Sequence, residues 1–355
     1  MTACWLEAHD GQADMTVTKT PPGTLYGDAS LRQPVFIVGM NGSGTTMLLD
    51  SLGRHSALYG FPKETRLIPH LITVSRKYEP LTDLANFERL WRYVTGLAAF
   101  RLANGGERMS LPMDWMTCSR DLAGLLNMLF LCFAMQTSKT RWCEKSPQYA
   151  QHMVALSQLY PGARFVHVIR DGRDCARSFH RRWRRSPELT ITRWKQLLQN
   201  ARAQRDALGE RYLEVRYEDL TAEPELWLKR ICASIDLPFE AAVLQSSRPY
   251  LAGPHEAGGL QVNSGQWRTH FSARRARRLE SIAGRMLAEN GYTTALPDAD
   301  MTPPLWRQRG WRAADAMRQQ LREISLKLRG RIARPWWSIL VRPLNAYRQD
   351  RENPS

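Results

Sequence analysis

Val35-Phe36-Ile37-Val38-Gly39-Met40-Asn41-Gly42-Ser43-Gly44-Thr45-Thr46-Met47-Leu48-Leu49 passes from an apolar, largely β-branched run through a Gly/Ser/Thr turn into a second apolar run. The first run reads as a buried strand, and Leu48, Leu49 and Leu52 then recur on one face of a helix. A helix entered this way leaves backbone N–H groups without partners and carries the positive end of its dipole, so an anion with many oxygens settles there. The chemistry to expect concerns a phosphate or sulfate ester. Gly39 and Gly44 nearly satisfy the nucleoside-triphosphate loop, but Thr45 stands where that loop needs its lysine. That substitution counts against an ordinary NTPase, and a Gly-rich turn that binds nothing is the plain alternative.

Working outward, the 355 residues are 43% hydrophobic and 24% charged, the balance of a globular protein with one catalytic domain plus extensions. No apolar run reaches membrane-spanning length, and Met1 to Asp14 lacks the basic-then-apolar order of a secretory signal, so a cytoplasmic location is expected. The six cysteines lack paired metal or redox spacing and read as reduced packing residues. His152, His167 and His180 are isolated, so no metal is expected. No Gly-x-Ser-x-Gly elbow supports a serine nucleophile.

Residues 1–33 read as a loosely ordered lead-in, 34–300 as the domain and 301–355 as a basic, Trp-rich extension. Helical spacing runs through Leu84 to Leu102 and Asp121 to Met135. Beyond them, strands near Arg141 to Glu144, Arg164 to Ile169 and Tyr212 to Val215 alternate with helices near Tyr149 to Tyr160, after Asp171, across Arg193 to Leu208 and from Pro224 to Ile235. Such alternation predicts an α/β fold with a central parallel sheet flanked by helices, whose ligands bind beyond the carboxyl ends of the strands. Glu144, Lys145, Arg170 and Tyr217 all follow strand ends.

The strand Phe165 to Ile169 ends on the charged turn Arg170-Asp171-Gly172-Arg173-Asp174, with Ser178 and Arg182 one and two helical turns farther on. Arg170, Ser178 and Arg182 can converge on one anion, because guanidinium forks and a hydroxyl suit phosphate. At this point the chain, over roughly Pro34 to Phe271, resembles the sulfotransferases that use 3′-phosphoadenosine 5′-phosphosulfate (PAPS), especially their tyrosylprotein-sulfotransferase-like branch. The resemblance implies a P-loop-like three-layer fold. It implies that Ser43, Gly44, Thr45 and Thr46 hold the 5′-phosphosulfate, with Gly42 beside them in the same loop, and that Arg170 and Ser178 hold the 3′-phosphate, where Arg182 is expected to join them. Gly60-Phe61-Pro62-Lys63-Glu64-Thr65-Arg66 resembles the segment of the catalytic glutamate, which places that role on Glu64. Glu144-Lys145-Ser146-Pro147 resembles the strand end whose lysine stabilises transfer, and Arg216-Tyr217-Glu218 a segment whose tyrosine contacts the cofactor. Gly265-Gln266-Trp267 resembles the loop that closes over it; His255 and His270 lie near that loop and are candidate substrate contacts.

One departure stands out: Gly42 occupies the place where the family usually has Arg or Lys. Sulfuryl transfer develops negative charge on the departing oxygen, and donors aimed at such charge are a large part of catalysis. Lys145, the backbone N–H groups of residues 43 to 46 and Arg66 are expected to compensate. Glu64 is the expected general base, its plain alternative being a surface ion pair with Lys63 or Arg66.

The net charge of +16 invites a nucleic-acid reading, but residues 301–355 hold twelve basic and four acidic residues, half the excess. Trp306, Trp311, Leu321, Trp336 and Trp337 interleave with those arginines. Such a helix either lies on an anionic membrane surface or packs back onto the domain. The whole predicts a PAPS-dependent sulfotransferase acting on a hydroxyl acceptor and no specific nucleic acid. A P-loop-type kinase, or an impaired polyanion- or membrane-binding protein of the same fold, are the alternatives.

Overall fold

The computed structural model describes residues 33–112, 118–245 and 263–328. The lead-in before Gln33, His255 and the extension beyond residue 328 lie outside the described residues. Strands β1 (Val35–Gly39), β2 (Leu58–Gly60), β3 (Arg141–Lys145), β4 (Arg164–Ile169) and β5 (Tyr212–Arg216) form one parallel sheet in the order β2-β3-β1-β4-β5. Side-chain alternation sorts the core into two. Phe36 and Val38 of β1 enter one buried cluster, whereas Val35 and Ile37 enter the other.

On the Val35 side lie α1 (Thr45–Leu52), α10 (Tyr217–Ala222) and α11 (Pro224–Ser234), contributing Leu48, Leu52, Leu220, Leu228 and Ile231. The Phe36 side is thicker. It is built from α3 (Leu84–Thr95), α4 (Ala98–Ala103), α5 (Leu122–Met135), α6 (Met153–Leu159), α7 (Gly172–Trp183), α8 (Pro187–Arg202) and α13 (Ala273–Glu289). Shorter pieces are α2 (Ile68–Val74), α9 (Arg205–Leu208) and α12 (Trp267–His270); α14 (Leu305–Leu328) closes the described chain. Two helical layers thus sandwich the parallel sheet, the fold class expected from the strand and helix alternation. The chain runs from β1 out to β2, back to β3 and across to β4, so the strand order reverses beside β1 and opens a crevice at its carboxyl end.

Local chemistry sets several boundaries. Asp83 and Asp121 cap α3 and α5 by accepting from Asn86 N and Gly124 N at 2.9 and 2.6 Å. The helix expected over Leu84 to Leu102 breaks at Gly96 into α3 and α4, and the one expected from Arg193 begins earlier, at Pro187, whose fixed φ suits a first turn. Strand β2 went unanticipated because three residues carry no period. At the amino edge of the sheet, Arg141 donates to the carbonyls of Gln33 and Ile235 at 2.9 and 2.7 Å, fastening the start of β1 to the end of α11. The inner side of α14 docks beside α7 and α8: Asp315 is wholly buried and accepts from Ser186 N at 2.9 Å, and Gln308 is buried with it.

Candidate active site

The turn after β1 is shaped by glycines whose left-handed backbone would strain any other residue. Gly44 has φ +101°, and a Cβ there would stand 2.5 Å from Cδ2 of Tyr217; Gly42 has φ +88°, and a Cβ there would stand 3.0 Å from Oγ of Ser178. The close approach brings Ser178 of α7 and Tyr217 at the start of α10 against the loop. Thr45 is buried at the first position of α1 and Thr46 follows it. The left-handed backbone at Gly42 and the close packing of Ser178 make any side chain at that position strained, so the cation expected there from the resemblance would be poorly accommodated.

Across the crevice, the guanidinium of Arg170 lies 4.4 Å over the Tyr217 ring and donates to Gly42 O at 2.8 Å and to Asn263 O. One side chain therefore joins the loop after β1 to the segment before α12. Asp174 completes that junction by accepting from Gly265 N at 2.7 Å and Trp267 N at 2.9 Å. Burial raises the Asp174 carboxyl above its ordinary range, against the lowering influence of Arg170 and the two amides. The buried Arg173 pairs with Asp171 at 2.7 Å and Glu280 at 2.6 Å and lies 3.9 Å over Trp267, locking α13 and α12 to the charged turn. Gln266 accepts from Arg177 at 3.4 Å. Arg182 continues the same helix, with its guanidinium 5.4 Å over Trp183.

At the carboxyl end of β3, Lys145 Nζ donates to Glu64 Oε1, while Arg66 Nε donates to Oε2 at 2.9 Å. Burial alone would raise the Glu64 carboxyl, but the charges and donors of Lys145 and Arg66 outweigh it and hold the group below its ordinary range. The three residues expected to be catalytic thus meet in one cluster.

Beneath them is a pedestal that the motif comparison did not reveal. Oε1 of buried Glu144 accepts from Thr65 N at 2.9 Å, Thr65 Oγ1 at 3.1 Å and Ser146 Oγ at 2.6 Å. Tyr149 Oη accepts from Leu67 N and Ile68 N at 3.1 and 3.0 Å and lies 2.8 Å from Thr65 Oγ1. Arg66 sits at φ +55°, its N–H held by Ser146 Oγ at 3.1 Å. These bonds orient the turn that carries Glu64, and burial raises the Glu144 carboxyl to about 7. The only sequence signal for them is Glu144 itself, a carboxylate at an apolar strand end.

Three polar atoms around the crevice, Ser43 Oγ, Arg170 Nε and Ser264 Oγ, are buried without a hydrogen-bond partner among the described residues. Buried donors are normally satisfied, so a set left open beside a helix N-terminus fits an anionic ligand. Arg170, Ser43 and the loop amides suit the charged groups of a nucleotide, and Tyr217 offers an aromatic face. His270 lies 5.6 Å ring to ring from His180, on the basic end of α7.

The profile of the sulfotransferase family matches residues 34–241. Protein-tyrosine sulfotransferase A of Caenorhabditis elegans is 26% identical over 223 residues, covering 59% of this chain and 51% of its own. Protein-tyrosine sulfotransferase 1 of Danio rerio is 24% identical over 242 residues, covering 64% of this chain and 59% of its own. The chain therefore spans between half and three-fifths of the length of these curated relatives. Among solved structures, the sulfotransferase domain from the curacin biosynthetic pathway is 20% identical with a TM-score of 0.49, over 74% of this chain and 98% of that one. With a match that takes in the loop after β1, the Glu64 turn, the end of β3 and the charged turn after β4, this chain belongs to the sulfotransferase family.

Proposed function

We propose that the protein transfers a sulfuryl group from PAPS to an acceptor hydroxyl. The observation that carries the reading is the meeting of Glu64 and Lys145 at the carboxyl end of β3, beside a helix-N-terminal loop whose surroundings keep polar atoms open. When bound, the nucleotide supplies an activated sulfuryl group whose displaced oxygen leaves on a phosphate. Glu64 accepts the proton of the incoming hydroxyl, a contribution of about 10² to 10⁴ in rate for a positioned base. Lys145 and the amides of residues 43 to 46 face the negative charge that develops as the bond to sulfur breaks. Arg66 supplies a second cation on the Glu64 side, in a chain that lacks one at position 42. The kinase alternative needs an ammonium where Thr45 presents a hydroxyl.

The acceptor class stays broad: a carbohydrate, a lipid-linked saccharide, a small molecule or a peptide tyrosine. The relatives named for protein tyrosine support the last of these, and the helices between β2 and β3 are the wall that would choose. Location in the cytoplasm, at the inner face of a membrane, belongs to the same reading and is supported by the basic, Trp-bearing extension.

The test pairs binding with turnover. Adenosine 3′,5′-bisphosphate is expected to raise the melting temperature where ATP with magnesium does not, and labelled sulfate from PAPS is expected to reach an acceptor hydroxyl. Glu64→Gln should keep the nucleotide-induced shift and lose about 10² to 10⁴ in turnover. Absence of any nucleotide shift, or unchanged turnover in Glu64→Gln, overturns the proposal.

A further inference from the structure

Helix α14 docks on the domain through Trp311, packed against the main core, and through two buried polar side chains. Asp315 is 0% exposed, bonded to Ser186 N and to Arg318, and Gln308 is buried with its amide on Pro303 O at 2.8 Å. The opposite side carries Trp306, Gly310, Ala313, Met317 and Leu321, spacings that keep one helical face, and all five are exposed. Trp306, Met317 and Leu321 are exposed by 68, 63 and 59%. Trp311 and Asp315 thus suffice to dock the helix, and the stripe on the opposite side is left over from that packing.

The stripe is flanked by cations. Arg307 and Arg309 are exposed beside it, whereas Arg318 turns to the domain, pairing with Asp315 and donating from Nε to Arg184 O at 3.2 Å, which sets α14 against the basic end of α7. There, burial and then His180, Arg177, Arg181 and Arg184 hold the His270 ring below its ordinary pKa, the mark of crowded positive charge. The sequence from 301 to 355 adds a net charge of +8. A nucleic acid would meet the arginines but has no use for exposed Trp, Met and Leu, and a second copy would bring like charge against like. An apolar strip bordered by arginines matches an anionic bilayer surface, with aromatic and aliphatic side chains at the acyl boundary and cations at the headgroups.

We infer that the outward face of α14, centred on Trp306, Met317 and Leu321 and flanked by Arg307 and Arg309, is a docking surface for an anionic lipid bilayer. The surface deepens the membrane location proposed above and is independent of sulfuryl transfer. Full-length protein is to be sedimented with phosphatidylcholine vesicles with and without phosphatidylglycerol, the nucleotide-induced thermal shift being followed on the same samples. Binding is expected only with the anionic lipid, weakening at least about tenfold in high salt. The triple variant Trp306→Ser, Met317→Ser, Leu321→Ser should lose at least about tenfold in vesicle affinity and keep its response to adenosine 3′,5′-bisphosphate, since all three side chains already face water. Equal binding by variant and wild type would assign the contact to another segment and overturn the surface. So would equal binding to neutral vesicles, or wild-type preference for DNA over anionic vesicles at matched salt. A lost nucleotide response in the wild type would instead count against the transferase reading alone.

Discussion

Glu64, the proposed base, has partners that keep it ionised. Its carboxylate is shared between Lys145 and Arg66, and their combined attraction exceeds the burial that would otherwise raise its pKa. The working form is the unprotonated one, lost as pH falls through the Glu64 pKa, so the acid limb of kcat/KM should lie below the ordinary carboxylate range. Lys145→Met removes the largest lowering influence and leaves burial in place. The limb is then expected to move toward neutral pH, alongside a fall of about 10² to 10³ in kcat from lost charge stabilisation. A pH–rate profile of both proteins checks this, and an unmoved limb would show that another group titrates. The motif made Glu64 and Lys145 legible, because each closes a short stretch of distinctive residues. It could not show that the two touch, since 81 positions separate them and only the pairing of β3 with β1 and β2 brings Lys145 to the Glu64 turn.

Among the elements, the strand-to-helix unit β1–α1 carries the strongest local constraint. Gly44 combines a left-handed backbone with a Tyr217 ring so near that a methyl group would overlap it. Gly44→Ala is therefore expected to displace Tyr217 or twist the loop. Either way it should abolish most of the thermal shift produced by adenosine 3′,5′-bisphosphate, while the unliganded protein loses about 1–3 kcal/mol of stability by chemical denaturation. Retention of the full shift would show that the loop is not the nucleotide's seat. This unit was readable because both of its periodicities and its glycines fall within fifteen residues. The helix α8 was read less well: its apolar face starts at Leu189, but Pro187 and the buried Glu188 at its beginning look like a loop until Ser186 is tied to Asp315 of α14.

For the whole molecule, the pedestal under the active site sets a pH dependence of folding. Glu144 is wholly buried and its carboxyl is raised from 4.5 to about 7. A raised carboxyl favours the neutral form in the folded state, so its contribution is complete below the unfolded pKa and is lost as pH rises toward and through about 7. The upper bound of that loss is about 3 kcal/mol, from 1.36 kcal/mol for each unit. Denaturation midpoints should fall between pH 5 and 8 more steeply in the wild type than in Glu144→Gln, whose amide oxygen can accept the same three bonds; identical slopes would exclude Glu144 as the titrating group. Sequence reasoning supplied the parallel sheet, because alternating elements announce it, but missed this network, whose members Thr65, Glu144, Ser146 and Tyr149 meet only after the crossover from β2 to β3 is closed. The same sheet sorts the cationic side chains. Arg141 works at the amino rim as a fastener, Arg170 and Lys145 stand at the opposite rim around the crevice, and Arg307 and Arg309 of α14 are exposed away from both. These cations thus do three separate jobs, and the rim or helix from which each projects sets the expected outcome of losing it: a sheet unfastened, a crevice without its donor, or neither.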